Sequence, residues 1–170
     1  MRFPFNRAMA FLVLSSAVVF AAASCKKSGT GNSGATLSAS VSGTAWTPNY
    51  PTAAYYATSG SQFNIVGLYY KNGDSTAFVL DFFSPVNVNQ AINSDTSNID
   101  VQYVVAKPGS TQVYDGSYMS GGHAILTVTS YDSTGHKIAG TFSGVLYNVS
   151  GGTDSVLVTN GAFNTSYSVQ

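Results

Sequence analysis

The stretch Gln62 to Phe83, QFNIVGLYYKNGDSTAFVLDFF, decides the fold. Phe63, Ile65, Gly67 and Tyr69 alternate with Gln62, Asn64, Val66 and Leu68. Phe78, Leu80 and Phe82 alternate in the same way with Ala77, Val79 and Asp81. A period of two belongs to a strand, because successive side chains point to opposite faces. Between the runs stands Lys71-Asn72-Gly73-Asp74. Asn-Gly accepts the positive φ of a type I′ turn, whose twist matches that of paired strands. The segment reads as a hairpin with Phe63, Ile65, Tyr69, Phe78, Leu80 and Phe82 inward and Tyr70 outward. Asp81 lies opposite the aromatic face and is expected to point to solvent.

Outward from this hairpin the same period recurs. Leu126 and Val128 alternate with Thr127 and Thr129, and Asp132-Ser133-Thr134-Gly135 turns the chain. Ile138, Gly140, Phe142, Gly144 and Leu146 then share one face. Ser150-Gly151-Gly152-Thr153 leads to Val156 and Val158, and Asn160-Gly161 punctuates the chain before Phe163, Thr165, Tyr167 and Val169. No window of eleven residues after Cys25 holds a helical period. The polar segment from Pro85 to Asp100 reads as a long loop or a single helical turn. These patterns predict an all-β fold, a single antiparallel β-sandwich or barrel-like domain. Its expected core is Trp46, Phe63, Ile65, Phe78, Leu80, Phe82, Leu126, Val128, Ile138, Phe142, Leu146, Val156, Phe163 and Tyr167. At about 1.5–3 kcal/mol per large side chain, this burial suffices for one domain without a disulfide or metal.

Composition agrees. The chain has 170 residues, of which 8% are charged and 13% aromatic, and its formal net charge is zero. There is no Glu, and both arginines, Arg2 and Arg7, lie in the first seven residues. Helical proteins normally fill exposed faces with Glu, Lys and Arg, so helix is disfavoured. Without a basic run there is nothing to neutralise phosphates, which excludes nucleic acid as a partner.

The N-terminus reads as an address. Two arginines precede the apolar run Ala8 to Ala23, and Ala22-Ala23-Ser24-Cys25 follows. A basic start, a short apolar run and small residues before a cut site form a secretory signal. The run is shorter than the roughly 20 residues that span a bilayer. The chain's single cysteine directly follows the small residues. The arrangement resembles the bacterial lipoprotein signal, in which a peptidase cuts before a lipid-modified cysteine; Ala22 stands where that family prefers Leu. The resemblance implies a signal peptide over 1–24, lipidation at Cys25, and a Gly/Ser/Asn-rich tether over 25–36 before a β-domain over 37–170. Acyl chains of the palmitate type would then hold the domain on a membrane, because two or three chains anchor stably where one does not.

Four further stretches carry a second resemblance. They are Ser42 to Trp46 (SGTAW), Ile125 to Asp132 (ILTVTSYD), Ile138 to Gly144 (IAGTFSG) and Val156 to Asn164 (VLVTNGAFN). Together and in this order they resemble an uncharacterised family of Bacteroidota lipoproteins, a domain of unknown function. That resemblance implies a small β-domain in the cell envelope, on the outer membrane. Lys26-Lys27 stands where surface-exported lipoproteins of that phylum often carry acids, which points to the periplasmic side. The family supplies no catalytic residues.

The residues themselves nominate little chemistry. His123 and His136 each stand beside a turn at the start of a strand; a metal site would pair them with Asp115 or Asp132, but no close spacing supports one. There is no nucleophile elbow, and Ser120-Gly121-Gly122-His123 reads as a flexible turn. Asp95-Thr96-Ser97-Asn98-Ile99-Asp100 offers oxygens, but no Glu can close an EF-hand. No catalytic residue, cofactor or metal ligand is assigned, and the expectation is a non-enzymatic structural or interaction module. Its partners would be the membrane, through Cys25, and a glycan or an envelope protein. The alternative is a glycan- or small-ligand-binding lipoprotein using exposed tyrosines. All eleven tyrosines follow Cys25, with pairs at Tyr55-Tyr56 and Tyr69-Tyr70. One member of each pair must face outward in a strand. Tyr70, with Asp81 on the same outer face, is the candidate ligand site: a ring to stack on sugar C–H faces and a carboxylate to accept hydroxyls.

Overall fold

The computed structural model describes residues 35–84 and 86–170. The expected signal, the lipidation site Cys25 and the tether up to residue 34 lie outside the described residues. Twelve strands follow in order: β1 Thr36–Val41, β2 Thr44–Trp46, β3 Ala53–Ala57, β4 Gln62–Lys71, β5 Asp74–Phe83, β6 Ala91–Asn93, β7 Ile99–Lys107, β8 Ser110–Asp115, β9 His123–Asp132, β10 Lys137–Asn148, β11 Ser155–Ser166 and β12 Ser168–Val169. A 3-10 turn, Tyr118–Ser120, lies between β8 and β9.

The fold is all-β. Hydrogen-bonded neighbours run β12-β3-β4-β5-β7-β8-β10-β11-β1-β2, with β9 on β10 and β6 on β9. Every pairing is antiparallel except β12 with β3. β8 pairs only with Tyr147 and Asn148 of β10, while β9 pairs with Lys137 to Val145. The two strands thus share one edge of β10, and there the open sheet divides into two layers. The first layer is β12-β3-β4-β5-β7-β8; the second is β6-β9-β10-β11-β1-β2.

The β4–β5 hairpin forms with an unbroken register from Gln62 opposite Phe83 to Lys71 opposite Asp74. Asn72 and Gly73 take φ 54 and 93, the two positive angles of the expected turn. Phe63, Ile65, Phe78, Leu80 and Phe82 are fully buried. They face Leu126, Val128, Ile138, Phe142, Leu146 and Phe163 from the second layer. The Phe78 and Phe142 rings meet edge-on at 5.4 Å across the layers. Trp46 Nε1 donates to Thr76 Oγ1 at 2.7 Å, which satisfies the indole while its ring stays in the core. Gly67 leaves room for Leu37: a Cβ there would sit 2.5 Å from Leu37 Cδ2.

The expected core is buried except Val156, which is half-buried and packs against it. Two other expectations fail. Over its described residues, 86–100, the segment read as a long loop or a single helical turn holds neither. Ala91–Asn93 forms β6 against β9, and Ile99 and Asp100 open β7. Three residues are too few to display a period, but Ile92 still packs against the core. Asn160-Gly161 does not separate two runs. β11 runs through it with a bulge: Phe142 pairs with Gly161 and Gly144 with Val158. Asn160 takes φ 52 at that extra residue.

Candidate functional site

Tyr70 and Asp81 share the outer face of the first layer, as the alternation requires. Tyr70 is 46% exposed, and its backbone is clamped by Asn49. The Tyr70 N–H donates to Asn49 Oδ1 at 2.8 Å, and Asn49 Nδ2 donates to the Tyr70 carbonyl at 2.7 Å. Tyr70 pairs with Ser75, however, whereas Asp81 pairs with Asn64. Six positions along a strand amount to about 20 Å. The two residues do not form one site.

Asp81 does not point freely to solvent either. It is half-buried, and Asn64 Nδ2 donates to its Oδ1. Burial raises its pKa from 3.8 to about 6, against the pull of hydrogen bonds from Asn64 and Gln62. Asp100 stands directly opposite on β7. Burial pushes Asp100 well above the carboxylate range, and the charges of Asp115 and Asp81 add to the shift. Gln102 Nε2 donates to Asp100 Oδ2 at 2.7 Å. Across the outer face Tyr55, Asn64, Asp81 and Asp100 therefore form one cross-strand polar row on β3, β4, β5 and β7. The alternation places these residues on the outer face; it cannot show that the face is largely desolvated, since Val79, Ala77 and Val104 beside them are also buried. Such a row holds protons above their ordinary range.

Two clefts among the described residues lie elsewhere, where β5, β6 and β7 connect. One of about 410 Å³ is lined by Phe83, Ser84, Asn87, Gln90, Asn93 and Asn98, among others. A second of about 380 Å³ lies between Ser94–Ile99 and the Ser117–Met119 turn. Thr96, Ser97, Asn98 and Ile99 border both. Tyr118 is 64% and Met119 73% exposed at the rim.

Both walls are braced. Buried Asp115 accepts the Ser117 N–H at 2.6 Å through Oδ1. The Ser120 hydroxyl lies 2.7, 2.9 and 3.2 Å from the Ser117 carbonyl, the Asp115 carbonyl and Asp115 Oδ1. Gly121, at φ 79, ends the turn by donating to the Tyr118 carbonyl. These hydrogen bonds brace the turn that carries Tyr118 and Met119. Its signal was the Asp115-Gly116-Ser117 triplet, where an aspartate two residues before an N–H closes an Asx turn. Facing it, buried Ser94 exchanges two hydrogen bonds with the Ala124 backbone, each 2.9 Å. His123 Nδ1 lies 2.8 Å from Asp95 Oδ1 and ties the same loop to β9.

The remaining candidates separate. His136 stacks on Tyr167 with ring centroids 5.3 Å apart, and His123 pairs with Asp95. Asp132 is occupied with the Thr134 and Gly135 N–H groups, and Asp115 with the 3-10 turn. Asp95 sits at the cleft rim while Asp100 lies in the outer row of the first layer. Among the described residues no three His, Cys, Asp or Glu side chains gather as metal ligands do. No family model, no curated protein and no solved structure matches this chain.

Proposed function

We propose that the chain is a lipid-anchored domain of a bacterial cell envelope, of the Bacteroidota lipoprotein kind. It acts as a non-catalytic interaction module and presents its cleft end to a partner. The anchor rests on the sequence alone, on the apolar run and the small residues before Cys25. The observation that carries the module reading is the braced turn between β8 and β9. Large apolar side chains on a frayed loop mean little, but Tyr118 and Met119 are exposed on a turn fixed by a buried carboxylate. Ordered chain that presents apolar surface beside a cleft is a recognition surface.

Two measurements test this. Cys25→Ala abolishes palmitate labelling and releases the protein from the membrane fraction; a variant that stays processed and membrane-bound removes the anchor. A photo-crosslinker in place of Met119 captures a discrete envelope component in intact cells. The same group at Lys107, at the far end of β7, does not. Equal capture from both positions, or none from 119, removes the module reading.

A further inference from the structure

We propose that the paired clefts bind a neutral oligosaccharide, with Tyr118 as the stacking platform. The inference rests on the module reading above and names its ligand. The chemistry of the walls narrows the class. Asn87, Gln90, Asn93 and Asn98 contribute amides, and Ser84, Thr96 and Ser97 contribute hydroxyls. No lining residue of either cleft is Lys or Arg. An anionic ligand would leave water without a cation to meet it, at a cost too large for amides alone to offset. The single charged lining residue, Asp95, is engaged by His123. An apolar ligand would strand the amides without water. A primary amide offers two donors and an acceptor in one plane, and so meets adjacent sugar hydroxyls, which both donate and accept.

The apolar parts agree. Phe83 and Ile92 line the first cleft, and Tyr118 stands at the rim of the second with most of its ring free. Pyranose rings present C–H faces that stack on such rings. The clefts meet at the Thr96–Ile99 ridge, so the site suits a chain of sugar units rather than one ring. Asp115 and Ser94 hold the two walls before any ligand arrives, so binding does not have to order them. Tyr70 lines neither cleft and is not part of this site.

The test uses the full-length chain in detergent. Calorimetry measures neutral hexasaccharides of glucose, mannose and xylose against polygalacturonate and heparin. At least one neutral chain binds in the micromolar-to-millimolar range, and the anionic polymers do not. Tyr118→Ala and Asn98→Ala each weaken binding at least tenfold with an unchanged thermal melt, whereas Tyr70→Ala leaves it unaltered. The inference is overturned if none of these neutral chains binds. It is also overturned if the anionic polymers bind better, or if affinity survives both cleft substitutions. A protein captured from position 119 while no glycan binds removes the glycan and leaves the module; failure of both experiments removes both.

Discussion

The two ends of the first layer are built differently. At one end β4–β5 and β7–β8 close on two-residue turns, Asn72-Gly73 and Pro108-Gly109. At the other end β5 reaches β7 only by way of β6, and β8 reaches β9 through the 3-10 turn. These two turns contain no more chain than strand pairing requires. The open end contains much more, and that excess is held by side chains: Asp115, Ser94, and the Asp95–His123 pair. Long ordered connections on a rigid scaffold are where proteins place recognition. The contrast separates what the fold needs from what the fold carries.

The largest effect should come from the core beneath both ends. Phe142 is buried, its ring edge-on to Phe78, and a Cβ at Gly161 would lie 2.7 Å from its ring. Phe142→Ala should cost about 3–5 kcal/mol in urea unfolding. A loss under about 1 kcal/mol would place the ring outside the core and break the two-layer arrangement from which both ends are read.

Next in size is the outer row of the first layer, which is neither core nor open end. The folded-state pKa of Asp81 is raised from 3.8 to about 6. Between those values the folded state holds a proton that the unfolded state has lost, so stability falls as pH rises through this window. Below it both states are protonated and the penalty vanishes. Asp81→Asn should therefore stabilise the protein by about 1–3 kcal/mol near pH 8, with the gain fading near pH 4. Equal gains at both pH values in denaturant titrations would show that the carboxylate is solvated after all.

How far the sequence could be read follows the same division. The hairpin was legible because period, turn chemistry and length all pointed one way in Gln62–Phe83. The Phe142 strand was legible too, but the glycine against its ring is Gly161 on β11, while Gly140 and Gly144 lie against Phe163 and Ala124. Asn160-Gly161 misled because the same dipeptide serves a turn and a bulge, and only the partner strand decides between them. The cleft end was illegible for a different reason. Its residues are brought together from β5–β7 and β8–β9 connections that share no period. Tyr118 becomes a candidate only once buried Asp115 is seen to accept the Ser117 N–H of its turn. Tyr70 was correctly read as outward, yet its distance from Asp81 is a matter of register, which face assignment ignores.

A matched pair of glycines sharpens the comparison of ends. Gly73 in the closed turn and Gly121 in the open one take φ 93 and 79, and neither would bring a Cβ into a close contact. Alanine at either position therefore meets only backbone strain, about 1 kcal/mol. Gly73→Ala and Gly121→Ala should lower stability alike. Only the second should weaken ligand binding, since Gly121 terminates the turn that carries Tyr118. Binding lost equally in both would mean that the two ends are not independent.

The smallest effect on stability should come from the residue given the largest role in binding. Tyr118 keeps 64% of its surface in water, so truncating it returns little apolar area to solvent. Its backbone carbonyl, which accepts from Gly121, survives the substitution. The hydrogen bonds that brace the turn run between Asp115, Ser117 and Ser120 and do not involve the ring. Tyr118→Ala should thus change unfolding free energy by less than about 0.5 kcal/mol, the range of ordinary surface substitutions. A loss above about 1.5 kcal/mol would mean that the ring supports the turn. Its exposure would then be no sign of recognition, and the open end would be long for structural reasons alone.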